Sequence, residues 1–285
     1  MHEPPELVLR ASSLSSFLDC QLRTAAHGHA ALFRAHGHEL APFRGSVAAL
    51  IGTGVHAGAE SGLKDRMFGH SPALSTMQDS GVDGFRERLA GEEGQSLVFD
   101  DEALSLPQAE MQVARMVARY RRDVVLESHP VAVESRVEAL LRPGVVISGQ
   151  TDLLCLDAVE RRQTLRDLKT ARRRQPAVKH MPQIGAYGLL LRSCGHQPEA
   201  AQIDELPRVK LSKEQPPVEQ RPLDIGACEQ VARVVASEFA SKLEAFREDG
   251  DPGRFLPNPA SYLCGPKFCR LHGQPACPAT RSLVA

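Results

Sequence analysis

The sequence predicts an α/β fold, a mixed central sheet flanked by helices, followed by a cysteine-rich tail. Three observations predict it. Residues 131–170 read as three strands joined by short turns, helical patterns stand on both sides of them, and residues 251–285 carry Pro, Gly and Cys without periodicity.

Taken in order, "ASSLSSFLDCQLR" opens with serines fit to cap a helix and sets Leu14, Phe17, Leu18 and Leu22 at helical spacing. "GSVAALIGTGVHAGAESGL" continues helical, with Val47, Leu50, Ile51 and Val55 on one face. Residues 66–105 are rich in Gly and acidic side chains with weak periodicity, which predicts an insertion or mobile segment. "PQAEMQVARMVARYRRDVVLE" is an amphipathic helix started by proline. "VAVESRVEALL" (131–141) alternates, placing Val131, Val133, Val137, Ala139 and Leu141 on one face. "PG" turns it into "VVISGQTDLLCLD" (145–157), and "AVERR" turns that into "QTLRDLKT" (163–170), an antiparallel meander. A helix follows in "VKHMPQIGAYGLLLRSC", then a strand pair around "AAQIDELPRVKLS", then a long helix capped by Asp224. The division expected is a helical part over 1–130, a core over 131–250 and a tail over 251–285.

A chain of 285 residues buries a sizeable core, and 42% hydrophobic with 24% charged residues is ordinary for a globular protein. The net charge of −1 announces no nucleic-acid partner globally, although a local basic patch still would. The sequence holds no apolar run of about eighteen residues and its start lacks a signal peptide's pattern, so a cytosolic protein without a membrane partner is expected. Seven cysteines in a reducing compartment are expected as thiols or metal ligands. Cys155, Cys194 and Cys228 sit in apolar contexts and read as small core residues. Cys20 near the start and Cys264, Cys269 and Cys277 in the tail need another explanation.

The charges inside the meander carry the chemistry. Asp167 and Lys169 are two apart on a strand and leave the same face, and a turn near 157–162 brings Asp152 roughly opposite Asp167. Carboxylates inside an apolar sheet need cations, and a hard divalent ion such as Mg²⁺ is the natural one. Alone, Asp-x-Lys fits a solvated strand end better.

The wider pattern decides. "GQTDLL" followed by "LRDLKT", preceded by "GTGVHAGAE" and followed by "QIGAYGLLL", resembles the PD-(D/E)XK nuclease superfamily and, within it, the RecB/AddB-type exonucleases. "SLSSFLDCQLR" resembles that branch's opening motif, so five motifs stand in the family's order across nearly the whole chain. The resemblance implies a restriction-endonuclease-like core and metal-dependent hydrolysis of DNA. Asp152, Asp167, His56 and the Leu168 carbonyl would hold Mg²⁺ or Mn²⁺, Lys169 would position water, and Glu134 would support the metal or the lysine. Gln183 and Tyr187, i and i+4 on one helical face, would contact DNA, and Arg172, Arg173 and Arg174 would attract phosphates. Glu60, one turn beyond His56, either orients that histidine or faces solvent.

In the iron–sulfur members of this branch three C-terminal cysteines join one from the opening motif. The resemblance therefore implies a 4Fe-4S cluster on Cys20, Cys264, Cys269 and Cys277, with the tail packed back on the N-terminal part. The residues alone also fit a local zinc site of Cys264, Cys269, His272 and Cys277, or free thiols. The activity implied is an exonuclease on single strands or duplex ends, serving recombination or repair. No helicase motif occurs, so a helicase or recombination partner would supply any unwinding. Two other classes stand beside it: a catalytically silent DNA-binding accessory protein of the same fold, and a zinc-stabilised structural protein that would leave the Asp–Asp–Lys set unexplained.

Overall fold

The computed structural model describes residues 7–91, 97–99, 104–157, 161–172 and 174–280. Strands β1 (Leu7–Arg10), β2 (Pro130–Arg142), β3 (Val145–Leu156), β4 (Gln163–Ala171), β5 (Pro198–Pro207) and β6 (Glu219–Leu223) form one mixed sheet. Helices α1 (Ala11–Asp19), α2 (Gln21–Gly28), α3 (Ala30–Ala35), α4 (Val47–Met67), α5 (Leu74–Ala90), α6 (Leu106–Asp123), α7 (Met181–Ser193) and α8 (Ile225–Asp249) flank it. The α/β architecture is the one expected, and β2–β3–β4 is the antiparallel meander read from the alternation. The β3–β4 turn falls partly on residues 158–160, outside the described residues.

Three strands pair with β3, which has only two edges. β2 runs along one of them from Val145 to Cys155. β1 and β4 share the other: β1 pairs in parallel with Val145 to Ser148, and β4 pairs antiparallel from Leu153 to Leu156. Among the described residues Gly149 to Asp152 have no strand partner on that edge. The sheet therefore opens a notch in its middle, and backbone groups in a notch must find other partners.

Two apolar cores lie on the two faces. On one, Ile147, Leu154, Leu165 and Ile203 pack beneath α1, α2, α7 and α8. On the other, Val133, Leu153, Leu168 and Leu206 pack beneath α4 and α6. The first core joins Leu7, at the start of β1, to Cys277 in the tail. Stacked rings bind these distant segments, with Phe17 4.3 Å from Phe239 and Phe33 4.3 Å from Phe246. Such a pair contributes roughly 0.5–1.5 kcal/mol beyond its burial. A buried carboxylate anchors the sheet's far side: Asp204, fully buried, accepts from Arg166 at 2.9 and 3.0 Å and from the Tyr120 hydroxyl at 3.1 Å. Among the described residues no helix is long and apolar enough to cross a membrane.

Several expectations are corrected. The segment 66–105 is not an irregular insertion: α5 occupies Leu74–Ala90, and residues 92–96 and 100–103 lie outside the described residues. Its glycines are packing surfaces. A Cβ on Gly54 would stand 2.6 Å from the Gly81 carbonyl oxygen, and one on Gly58 2.7 Å from that of Met77, so α4 and α5 touch backbone to backbone. The serines of "ASSLSSF" do not cap α1; Arg10 holds the cap position without a side-chain bond, and Ser13 donates back to its carbonyl. Leu18 is exposed, because the chain breaks at Cys20 between α1 and α2 and turns that face outward. Val131 is exposed too. The β2 alternation does not hold throughout: Val133 packs under α4 and α6, whereas Val137, Ala139 and Leu141 pack against the opposite core. Between them Glu134 takes a φ of 46°, a left-handed kink. The partner of β5 is β6, further along than the pattern placed it, and β1 was not foreseen. Cys194 is exposed, not a core residue, while Cys155 and Cys228 are buried. Asp224 caps α8 as expected, its Oδ1 accepting from the Ala227 N–H at 2.7 Å.

α7 and α8 cross at Gly185, where an added Cβ would run into the Cys228 carbonyl. Gly185→Ala should lower the urea midpoint by the equivalent of about 1–3 kcal/mol, with the m-value unchanged. An unaltered midpoint would show that α8 yields at this crossing.

Candidate functional site

The notch in the sheet gathers the charged residues. The β3–β4 ladder ends at Leu153 opposite Arg166, so the next pair outward is Asp152 and Asp167, where the strands part. Asp152 Oδ2 accepts the Leu168 backbone N–H at 2.7 Å, a bond that takes the place of the missing ladder. One residue's N–H and C=O leave the same edge of a strand, so the Leu168 carbonyl faces this carboxylate as well. On the other side β2 brings Glu134 beside Asp152, between the pairs Val133–Leu153 and Ser135–Thr151. Its left-handed backbone is the kind of local strain that persists only where the surroundings enforce it.

Helix α4 delivers the third group. Its Ser46 cap accepts the Ala49 N–H, and the buried face Val47, Leu50, Ile51 and Val55 fixes its rotation over the sheet. His56 is thereby aimed at the notch, with Nδ1 3.4 Å from Asp152 Oδ1 and 3.7 Å from Glu134 Oε1. His56, Glu134 and Asp152 offer ligand atoms within 4.8 Å of one another, which fits a single hard cation. Asp167, only 1% exposed, lies 2.7 Å from Lys169 Nζ. Gln183 on α7 donates to the Tyr187 hydroxyl at 2.8 Å and reaches Asp167 Oδ1 at 3.5 Å. Gly149 makes this approach feasible: a Cβ there would stand 2.9 Å from the Tyr187 ring.

The electrostatics follow from crowding. Burial pushes the Asp167 carboxyl up to about 6, with Lys169 opposing and Asp152 adding to the rise. Burial also raises Glu134, against the pull of His56. Burial opposes charge on His56, yet Asp152 and then Glu134 lift it to about 10. Burial would raise Asp152 too, but His56 and Lys169 hold it below the usual carboxylate range. Three carboxylates in one notch thus lean on a histidine and a lysine for their counter-charge, and a bound cation would relieve them.

Other expected residues fall elsewhere. Gln183 and Tyr187 share one face, but both are buried, forming the wall behind Asp167 and not an open strand-binding surface. Glu60 pairs with Lys64 at 2.5 Å, one turn further along α4, and not with His56. Arg174 is paired with Glu219 and Glu205, Arg173 lies outside the described residues, and Arg172 follows the end of β4. Gln150 was not foreseen: its amide donates to Glu134 Oε2 at 2.7 Å and holds that carboxylate in place. The polar pair Gln150–Thr151 inside an apolar strand was the available signal.

The four cysteines singled out in the sequence come near one another. Cys20 sits at the break between α1 and α2, and it lines one small cavity with Cys264, Cys269 and Cys277. His272 is not among the described residues lining it. Among the described residues the tail that carries three of them has one 3-10 turn, Pro252–Arg254, and no strand; it is held by turns such as Cys269 N–H to the Gly265 carbonyl and by Ser261 Oγ on Asp19 at 2.6 Å. Burial raises the Cys264 and Cys269 thiols, and the neighbouring thiols Cys277 and Cys20 add to the rise.

The comparisons with known proteins agree with the fold. The model of the PD-(D/E)XK nuclease superfamily matches residues 9–277. A search of curated proteins returns no match. Among solved structures, a candidate exonuclease from Eubacterium rectale superposes with a TM-score of 0.55 at 12% identity, covering 91% of this chain and 87% of that one. LHK-Exo, solved in complex with dAMP, aligns at 14% identity over 69% of this chain and 93% of its own, with a TM-score of 0.33 that is too slight to weigh.

If the notch holds a cation, Mn²⁺ or Mg²⁺ should raise the thermal midpoint of metal-free protein, since binding confined to the folded state adds to its stability. Asp152→Asn should remove the rise, and His56→Ala should demand more metal for the same rise. A midpoint indifferent to both ions would leave the three ligands as a salt-bridge cluster.

Proposed function

Since the chain belongs to the PD-(D/E)XK nuclease superfamily, we propose that it is a metal-dependent deoxyribonuclease of the RecB/AddB-type branch, an exonuclease on single strands or duplex ends serving recombination or repair. The observation that carries this reading is the convergence of Asp152, Asp167, Lys169, His56 and Glu134 on one opened strand edge.

In this reading Asp152, Asp167, His56 and the Leu168 carbonyl hold Mg²⁺ or Mn²⁺, with Glu134 close by. A divalent cation bound there supplies Lewis-acid stabilisation to the charge that develops on the phosphoryl oxygens. The chain's own residues do the rest. Lys169 carries three donors and no acceptor, so it orients the attacking water and faces the growing negative charge, while its pairing with Asp167 fixes where its Nζ points. The new bond joins water oxygen to phosphorus, the bond to the 3′ oxygen breaks, and the water's proton passes to solvent or to the leaving oxygen. Gln183 and Tyr187 hold Asp167 from behind, and Gln150 does the same for Glu134. The division into a helical N-terminal part, a nuclease core and a tail folded back on the first is retained as part of this proposal.

We read the cysteine centre as a 4Fe-4S site on Cys20, Cys264, Cys269 and Cys277. The support is that Cys20, the ligand distant in sequence, lines the same cavity as the three tail cysteines, whereas His272 does not. Such a group supplies a cross-link between chain ends that packing alone would hold weakly.

With end-labelled single-stranded DNA, degradation should require Mn²⁺ or Mg²⁺ and stop in EDTA. Asp167→Asn and Lys169→Ala should each lower the rate by about a hundredfold or more, with the far-ultraviolet circular dichroism of the parent retained. Full activity in EDTA, or in both variants, defeats the nuclease reading; binding without hydrolysis by the parent would favour the silent accessory protein.

Protein purified without air should be brown and contain iron. Cys20→Ser should bleach it and lower the thermal midpoint of the whole chain. Stoichiometric zinc in a colourless protein, indifferent to Cys20→Ser and disrupted by His272→Ala, would replace the cluster by zinc.

A further inference from the structure

β2 and β6 are the outermost strands on the two sides of the sheet, and only β6 is blunted. It has five residues, Glu219–Leu223, and carries Pro222, which has no N–H to offer a neighbouring strand. β2 has thirteen, Pro130–Arg142, and its one proline stands at the first position. Among the described residues β2 pairs with β3 alone, and no backbone hydrogen bond from elsewhere reaches its outer side. The left-handed kink at Glu134 spoils the first part of that edge. From Ser135 to Leu140 the register against β3 is unbroken, residue for residue. A regular outer row of N–H and C=O groups there stands open to a further strand.

The side chains of this stretch suit a second copy of the same strand. Arg136, Glu138 and Leu140 leave one face of β2 and are exposed, Leu140 by 68%. Neither Arg136 nor Glu138 has an ion-pair partner among the described residues, whereas Glu134 and Arg142 on the same strand have theirs in His56 and Glu244. On the opposite face Ser135, Val137 and Ala139 are half-buried and small or β-branched, so nothing bulky bars a strand drawn alongside.

Two identical strands that pair antiparallel in one continuous sheet do so about a two-fold axis normal to it, passing between one residue and its copy. With that axis at Val137, Arg136 of each copy stands opposite Glu138 of the other, and two opposite-charge pairs close the seam. Val137 then meets Val137, and Ser135 meets Ala139. Moving the axis one residue either way sets Arg136 against Arg136 or Glu138 against Glu138, and like charges directly opposite repel. An axis at Ser135 runs into the kink at Glu134. The charge pattern thus selects one register, whereas a strand guarded only against pairing is served as well by charges of one sign.

We propose that the edge of β2 from Ser135 to Leu140 is a homodimer interface, where two copies of this chain pair antiparallel about Val137 into one continuous sheet. A seam this short makes a reversible dimer and not an obligate one. Arg136 and Glu138 also line the cleft walled by Gly149, Gln150 and Tyr187, so the seam borders the candidate metal centre. An axis normal to the sheet turns the clefts of both copies to the same side. The inference does not rest on the nuclease reading, and neither charged residue belongs to the machinery proposed for it.

The test is sedimentation velocity of the full-length protein at rising concentration, in which the parent should pass from monomer to dimer. Arg136→Glu and Glu138→Arg each turn both facing pairs into like charges and should raise the dimer dissociation constant about tenfold or more. Arg136→Glu combined with Glu138→Arg exchanges the signs across the seam and should bring the parent's dimer back. Thermal midpoints of the diluted variants equal to the parent's exclude unfolding. Hydrogen exchange on the unaltered chain needs no variant to fold: the outward amides between Ser135 and Leu140 should gain protection as concentration rises. A parent that stays monomeric, with exchange at this edge independent of concentration, overturns the proposal. So does a dimer indifferent to both single changes, and so does a combined variant as monomeric as the single ones, since the register would then be wrong.

Discussion

A strand has two edges, and β3 is asked to serve three neighbours. β2 takes one edge throughout, so β1 and β4 divide the other and leave Gly149 to Asp152 between them. Every feature of the candidate centre depends on that division. The Leu168 N–H, released from the ladder, bonds Asp152 instead, and the paired carboxylates come to lie where the strands diverge. Glycine at the start of the notch lets the Tyr187 ring press against the backbone, and Gln183 reaches the second carboxylate from the same helix. Had β4 continued its pairing to Ser148, these groups would be ladder residues with no room for a ligand.

The helices that surround the notch are positioned by absence of side chains as much as by their presence. Gly54 and Gly58 bring α4 against α5 and α6, while Gly185 and Gly188 bring α7 against α8. Close backbone approach leaves little freedom for sliding, because interiors packed this tightly do not deform smoothly. His56 and Gln183, one on each of these fixed helices, therefore face the sheet from opposite layers with little play. A carboxylate cluster that is short of counter-charge can persist in such a frame, since no easy movement separates its members.

Much of this was legible beforehand, for particular reasons. Alternation over 131–170 gives strand identity directly, and the hairpin turn sets the register that puts Asp152 and Asp167 side by side. His56, Gln183 and Tyr187 were singled out by motif order, where periodicity alone would have assigned them to core. The failures share one cause: residues whose role depends on a distant neighbour. Glycine punctuates a chain when read locally, so α5 was mistaken for an insertion, though Gly81 serves contact with Gly54. The kink at Glu134 breaks an alternation that looked unbroken, because a left-handed φ has no mark in a glutamate. β1 is four residues long and is a strand only because β3 receives it. Gln183 and Tyr187 read as a polar face open to DNA, yet burial turns them inward to Asp167.

The seating of β1 against β3 also sets an order in time. Leu7 to Arg10 find their partners at Val145 to Ser148, and Phe17 and Phe33 wait for Phe239 and Phe246 on α8. During synthesis Leu7 to Arg10 thus leave the ribosome well before the strand and helix that receive them. Contacts so far apart in sequence make folding slow, and a partly made chain shows its apolar N-terminal rings to whatever is near. A chain cut short before α8 has a sheet but nothing for those rings to meet, and is a natural substrate for chaperones and proteases. The arrival of α8 gives those rings the partners that join the N-terminal helices to the rest of the sheet.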